Sequence, residues 1–163
     1  MPKYRVLVSE ITNFGDLRCV AGWDLDRGKM IRPEPHPRGF WPSPTIVSNG
    51  AFDLRRIVRF DAAKPVPATQ YPHLTEDRVV AGNLAVEDEM DKAEYLEVLR
   101  AAAFGSLAEL FEDNLIIDGS KAYVPTGAQC RSLGGLEIPA EGAVLQPYLP
   151  SCWTGVERSR RQR

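Results

Sequence analysis

Apolar residues fall in short runs over the first third of the chain, in the manner of strands rather than helices. Tyr4 to Ile11 is rich in β-formers, and the unbroken Val6-Leu7-Val8 predicts a strand buried on both faces. Leu17 to Trp23 reads as a second strand and Lys29 to Arg32 as a short third. Two turn signals, Asn13-Phe14-Gly15-Asp16 and Asp26-Arg27-Gly28-Lys29, separate these runs, so residues 12–33 lie in a three-stranded meander. That meander gathers Arg18, Cys19, Trp23 and Arg32 into one small region.

Further along, Pro33 to Pro44 carries prolines, glycine and aromatics, and predicts a loop because proline removes amide donors and fixes φ. Leu54 to Phe60 predicts a strand, Ala63 to Pro72 another proline-rich loop, and Val79-Val80 a short apolar run. Asp91 to Glu112 has the clearest helical periodicity, with Ala93, Leu96, Leu99, Ala103, Leu107, Leu110 and Phe111 at helical spacings. Gly105-Ser106 divides it into two helices, with Ser106 the cap of the second. The acidic run from Glu87 to Glu97 reads as the wet face of a helix. Lys121 to Val124 predicts a short strand, and Gln129 to Ile138 another around Gly134-Gly135. Beyond Pro139 the pattern weakens towards a basic tail ending in Arg163.

Composition narrows the class. The apolar fraction of 44% is enough for a core, while 13 prolines and 13 glycines suit short strands joined by turns better than a helical bundle. Net charge is −2, but it is unevenly spread. Residues 1–60 hold ten Lys/Arg against six Asp/Glu, whereas residues 61–120 hold four against thirteen. Exposed charges are screened beyond about 8 Å at physiological salt, so the basic N-terminal third is a candidate surface for phosphate despite the acidic middle. Cys19, Cys130 and Cys152 form neither a disulfide framework nor a CxxC knuckle. With no secretory leader and no apolar run of membrane-spanning length, the expectation is a cytoplasmic protein with reduced thiols and no membrane partner.

No phosphate loop or dinucleotide glycine pattern is present, which disfavours NTPase and NAD chemistry; no cofactor is expected. Cys19 with His73 and Asp77 or Glu76 could be written as a thiol catalytic set, but a cysteine inside an apolar strand is more often packed than reactive. His73-x-x-Glu76-Asp77 is the one candidate metal cluster, and it is equally a turn before Val79-Val80. The remaining signal is arginines among aromatics: Arg5, Arg18, Arg32, Arg38, Arg55, Arg56 and Arg59 beside Tyr4, Phe14, Trp23, Phe40 and Trp41. Nucleic-acid surfaces use this pairing, each stacked base being worth roughly 1–3 kcal/mol. The competing reading makes the aromatics core and the arginines ordinary surface.

The segments Tyr4-Arg5-Val6-Leu7-Val8, Arg18-Cys19-Val20-Ala21-Gly22 and Lys29-Met30-Ile31-Arg32-Pro33 resemble those of the bacterial dual OB-containing domain family. His73-x-x-Glu76-Asp77 and Cys130-Arg131-Ser132-Leu133-Gly134 are similar to its pattern as well. The resemblance runs over roughly the first 135 residues and implies two small OB-type barrels. It brings no catalytic residues, and Pro139 to Arg163 departs from it.

The expected fold is therefore mainly β with a helical insert (α+β): an OB-like β-barrel over residues 1–82, a helical segment with a partial second OB-like unit over 83–138, and an irregular basic tail over 139–163. The expected function is a non-catalytic binding module for single-stranded nucleic acid or a nucleotide-like ligand. Arg18, Trp23 and Arg32 would sit at the centre, with His73, Glu76 and Arg131 contributing. The alternatives are a protein-interaction or regulatory module of a larger bacterial system, and a thiol- or metal-dependent enzyme using Cys19, His73 and Glu76.

Overall fold

The computed structural model describes residues 1–37, 39–42, 50–64, 75–125 and 127–138, and these are mostly β. Six strands form the main sheet: β1 (Lys3–Phe14), β2 (Leu17–Asp24), β3 (Lys29–Glu34), β4 (Trp41–Pro42), β5 (Arg56–Ala63) and β6 (Asp77–Glu89). The five long ones close into a barrel in the order β1-β2-β3-β6-β5 and back to β1. Every neighbouring pair is antiparallel except β3 and β6, which run parallel. The short β4 adds to the start of β2, opposite Leu17 and Arg18.

The first three strands follow the predicted meander. Gly28 sits in the β2–β3 turn at φ +61°, a conformation that a Cβ disfavours, and its amide bonds back to the Asp24 carbonyl. Closure needs strong coiling, which bulges supply in β1 between Val8 and Glu10 and at two places along the β5–β6 pair. Through this coiling β1 pairs with β5 over its first half and with β2 over most of its length.

Alternation in the strands then sorts the core. Tyr4, Val6, Val8, Val20, Ile31, Val58, Phe60 and Val80 fill the interior with Trp41 and Phe52. The rings of Tyr4 and Phe60 stack at 5.8 Å, and those of Trp41 and Phe52 lie 5.0 Å apart. Leu7 points the other way and is also fully buried, with Ile57 and Met90 against Trp23, Leu25, Tyr95 and Val98. So β1 is covered on both faces, as its apolar run predicted.

The outer cover is α1 (Lys92–Ala102), begun by Asp91, whose carboxylate accepts the Ala93 amide at 2.7 Å. That hydrogen bond, with those from Glu94 and Lys92 and the nearby charge of Arg55, holds the Asp91 carboxyl below its usual pKa. A carboxyl whose pKa is depressed by folding stabilises above its unfolded value, and this contribution is lost as pH falls through the folded one. Asp91→Ala is therefore expected to lower helicity at neutral pH and to make no further difference at low pH. Asp91→Asn keeps a cap that does not titrate. Circular dichroism between pH 7 and 3 checks this; an unchanged pH dependence in Asp91→Asn would contradict it.

Helix α2 (Leu107–Leu110) follows, capped by Ser106 through the Glu109 amide as expected. After it comes a separate two-stranded hairpin, β7 (Ile116–Asp118) with β8 (Lys121–Tyr123). Three expectations need correction. Glu87 to Glu89 end strand β6 rather than cover a helix, because Asp88 and Glu89 pair antiparallel with Ile57 and Arg56 of β5, with Glu87 at the bulge before them. β6 is 13 residues long, not a brief Val79-Val80 run, and passes through the expected boundary at residue 82. Gln129 to Ile138 forms only an isolated bridge, Leu136 to Phe104, rather than a strand. The C-terminal stretch 139–163, with Cys152, lies outside the described residues. Among the described residues no helix is long and apolar enough to cross a membrane.

Candidate anion-binding cleft

The pairing of β5 with β6 decides the fate of the basic N-terminal third. Arg5 grips Glu87 with Nε at 2.9 Å, and Arg59 approaches the same carboxylate at 3.4 Å. Arg55 bonds Glu89, which Arg56 also meets at 3.8 Å. Each such exposed pair contributes little stability, but together they tie all four arginines to carboxylates and halve the positive charge of this face. Tyr4 and Trp41 are core residues, so the broad arginine–aromatic surface does not form from them.

Arg32 is likewise committed. Its side chain is 11% exposed, its Nε donates to Asp77 at 2.6 Å, and another guanidinium nitrogen lies 2.8 Å from Glu34. Burial opposes the charge, but hydrogen bonding and attraction from Asp77, the charge of Glu34 and a contact to the Cys19 sulfur raise its pKa above the ordinary value. This pair straddles the parallel β3–β6 seam, where Arg32 and Asp77 are in register. Arg18, by contrast, sits at the far β1–β2 turn and donates to the Gly15 and Leu17 carbonyls.

Three of the expected residues do converge. Trp23, Glu76 and Arg131 line a cleft of about 350 Å³ with Lys29, Lys64, Arg78 and Phe104. Glu76 anchors the wall of the cleft: its two oxygens take the Ser132 amide and hydroxyl, both at 2.9 Å. Thr75 adds a bond to the Cys130 carbonyl, so residues 130–132 are tied to the barrel at the start of β6. Arg131 crosses the Phe104 ring at 4.5 Å and donates to the Leu110 and Glu109 carbonyls, closing the end of α2.

Four cations face this space. Arg78 is 1% exposed, and its guanidinium bonds two uncharged oxygens, Tyr4 Oη at 2.9 Å and its neighbour's carbonyl. Among the described residues no carboxylate forms a salt bridge with it, since the Asp77 carboxylate is turned to Arg32. Lys29 has its pKa lowered by burial first and then by the like charges of Arg78 and Lys64. Its ammonium therefore sits in a field that an incoming anion would relieve.

Sequence reasoning missed Lys29, Lys64 and Arg78 as site residues. The one available signal was the Glu76-Asp77-Arg78 triplet entering a strand, where alternation sends Asp77 and Arg78 to opposite sides. His73 and Arg38 lie outside the described residues. Among the described residues no three of His, Cys, Asp and Glu gather closely enough to hold a metal ion. Comparison with models of known protein families, with curated proteins and with solved structures finds no match to this chain.

Proposed function

We propose that the barrel is of the OB type, as in the dual OB-containing family that the sequence resembles, and that it is a non-catalytic module binding a nucleotide-like anion or a short single strand. Five strands in a closed Greek-key order support this reading, and the cleft lies beside β2–β3 and the chain entering β6, a region where OB barrels receive ligands. Fold analogy supports the location and not the ligand.

The observation that carries the proposal is Arg78: a buried guanidinium with no carboxylate partner among the described residues, lining with Lys29 and Lys64 a cleft walled by Trp23 and Phe104. A buried charge left uncompensated is costly, and a phosphate supplies the missing partner through charge-assisted hydrogen bonds. The cleft is near the lower end of the roughly 300–1,000 Å³ typical of small-ligand sites, so it suits one nucleotide unit.

Fluorescence anisotropy with a labelled oligonucleotide and a labelled mononucleotide at ~50 mM salt tests it. Binding is expected to weaken steeply towards ~200 mM salt. Lys29→Gln and Lys64→Gln are each expected to weaken it about tenfold, or ~1.4 kcal/mol. No binding at low salt removes the reading.

A second reading, a protein-interaction module, draws on the β7–β8 hairpin, where Ile117 is 74% and Tyr123 48% exposed. Two strands alone are marginally stable in water, and a partner strand or surface would complete them. Co-purification of a partner by a chain that binds no nucleotide distinguishes it.

A further inference from the structure

A second cavity, of about 420 Å³, opens on the other side of Trp23 and Met30, both of which also line the cation cleft. Its walls mix the apolar Leu96, Leu99 and Ala103 near the helical cover and Leu136 from the returning chain with the charged Glu10, Arg100 and Glu137. One polar atom stands out there. The Ser9 hydroxyl oxygen is buried and, among the described residues, has no hydrogen-bond partner. Buried hydroxyls are nearly always partnered, and an exception asks for an explanation.

We infer that the two cavities form one bipartite site for a nucleoside phosphate, with the phosphate among Lys29, Lys64 and Arg78 and the base in the second chamber. This rests on the anion-binding reading of the cleft. Trp23, shared by both cavities, supplies an aromatic face for a planar ring. The Ser9 oxygen favours a heterocycle over a hydrocarbon chain, because a base offers N–H groups to it and an acyl chain leaves it unpartnered. The division of labour matches the ligand: cations where phosphate charge is met, and apolar side chains with the polar Ser9, Glu10, Arg100 and Glu137 at their edges where a base with N–H and ring-nitrogen groups would lie.

The chamber can be filled without touching the cations. A Cβ added at Gly135 meets no atom within 4 Å, and its backbone is not in the left-handed region. Gly135 lines the chamber and not the cation cleft. Gly135→Phe therefore adds a ring at the lining of the chamber without a clash at its Cβ.

The experiment is a titration of the full chain with inorganic phosphate, adenosine 5′-monophosphate and adenosine, followed by amide NMR shifts. The nucleotide is expected to bind at least 100-fold more tightly than phosphate. Gly135→Phe should bring it down to the phosphate level while phosphate itself binds unchanged, which also shows that the variant is folded. Ser9→Ala should weaken the nucleotide about fivefold and leave phosphate alone. Phosphate binding with no added affinity for the nucleotide, or an advantage that survives Gly135→Phe, overturns the bipartite site and leaves the cation cleft standing. Binding of neither phosphate nor nucleotide overturns both.

Discussion

Asp77→Ala is expected to destabilise the barrel by about 3–5 kcal/mol, the usual consequence of removing one partner from a buried ion pair. For a chain of this length that corresponds to a fall in Tm on the order of 10 °C. The reason lies in what remains. Arg32 keeps its charge, is 11% exposed, and retains Glu34 but loses its 2.6 Å bond to Asp77. It cannot move to water without opening the β3–β6 seam, where the two residues are in register. Arg32→Met combined with Asp77→Leu removes both charges and should recover part of the loss, since apolar pairs often replace buried ion pairs at little cost. The recovery is only partial because the double change also takes the guanidinium from the buried Glu34. Urea unfolding of the single and double variants measures the coupling. A loss below ~1 kcal/mol in Asp77→Ala would show the pair to behave like a surface one. The same result bears on function: loss of ligand binding in an Arg32 variant would report a damaged barrel, so Lys29, Lys64 and Arg78 are the informative positions.

Gly22→Ala is the second change with a large expected effect. Gly22 lies opposite both Val8 and Ile31, so β2 is flanked by β1 and β3 at this point. An added Cβ would meet the Leu7 carbonyl oxygen and lie 2.6 Å from Val6 Cγ1. The carbonyl belongs to a strand paired on both sides and cannot step back, and Val6 is a fully buried interior residue. Overpacking of a core typically costs 1–3 kcal/mol, and a clash against backbone belongs at the upper end, about 3 kcal/mol. Gly28→Ala is the comparison. Its penalty comes from its positive φ, so about 1–2 kcal/mol is expected. Denaturant midpoints of the two variants, at unchanged m-value, rank them. An equal or smaller effect at Gly22 would mean that β1 yields more easily than a doubly paired strand should.

Much of the fold was legible locally. Val6-Leu7-Val8 announced a strand covered on both sides, the Asn13–Asp16 and Asp26–Lys29 turns marked the meander, and Ser106 marked the start of a helix. Each is a short-range signal, set by propensity, turn chemistry or capping within a few residues. β6 was misread because Glu87-Asp88-Glu89 has no strand propensity of its own. Its stability there comes from pairing with β5 and from Arg5, Arg55, Arg56 and Arg59, which are distant in sequence.

The candidate site was legible only in fragments for the same reason. Trp23, Glu76 and Arg131 were singled out from their own surroundings, and the fold does bring them to one cleft. Arg32 and Arg18 carry the same charge as the cleft cations, yet one is matched to Asp77 across a parallel seam and the other bonded to its own turn. Charge and residue type are properties of the chain alone, as are turns and apolar runs. Whether a given cation ends up neutralised is not, because carboxylate partners are chosen by strand register. Barrel closure set that register, pairing the outer arginines with Glu87 and Glu89 and leaving Arg78 buried beside the cleft with no carboxylate partner among the described residues.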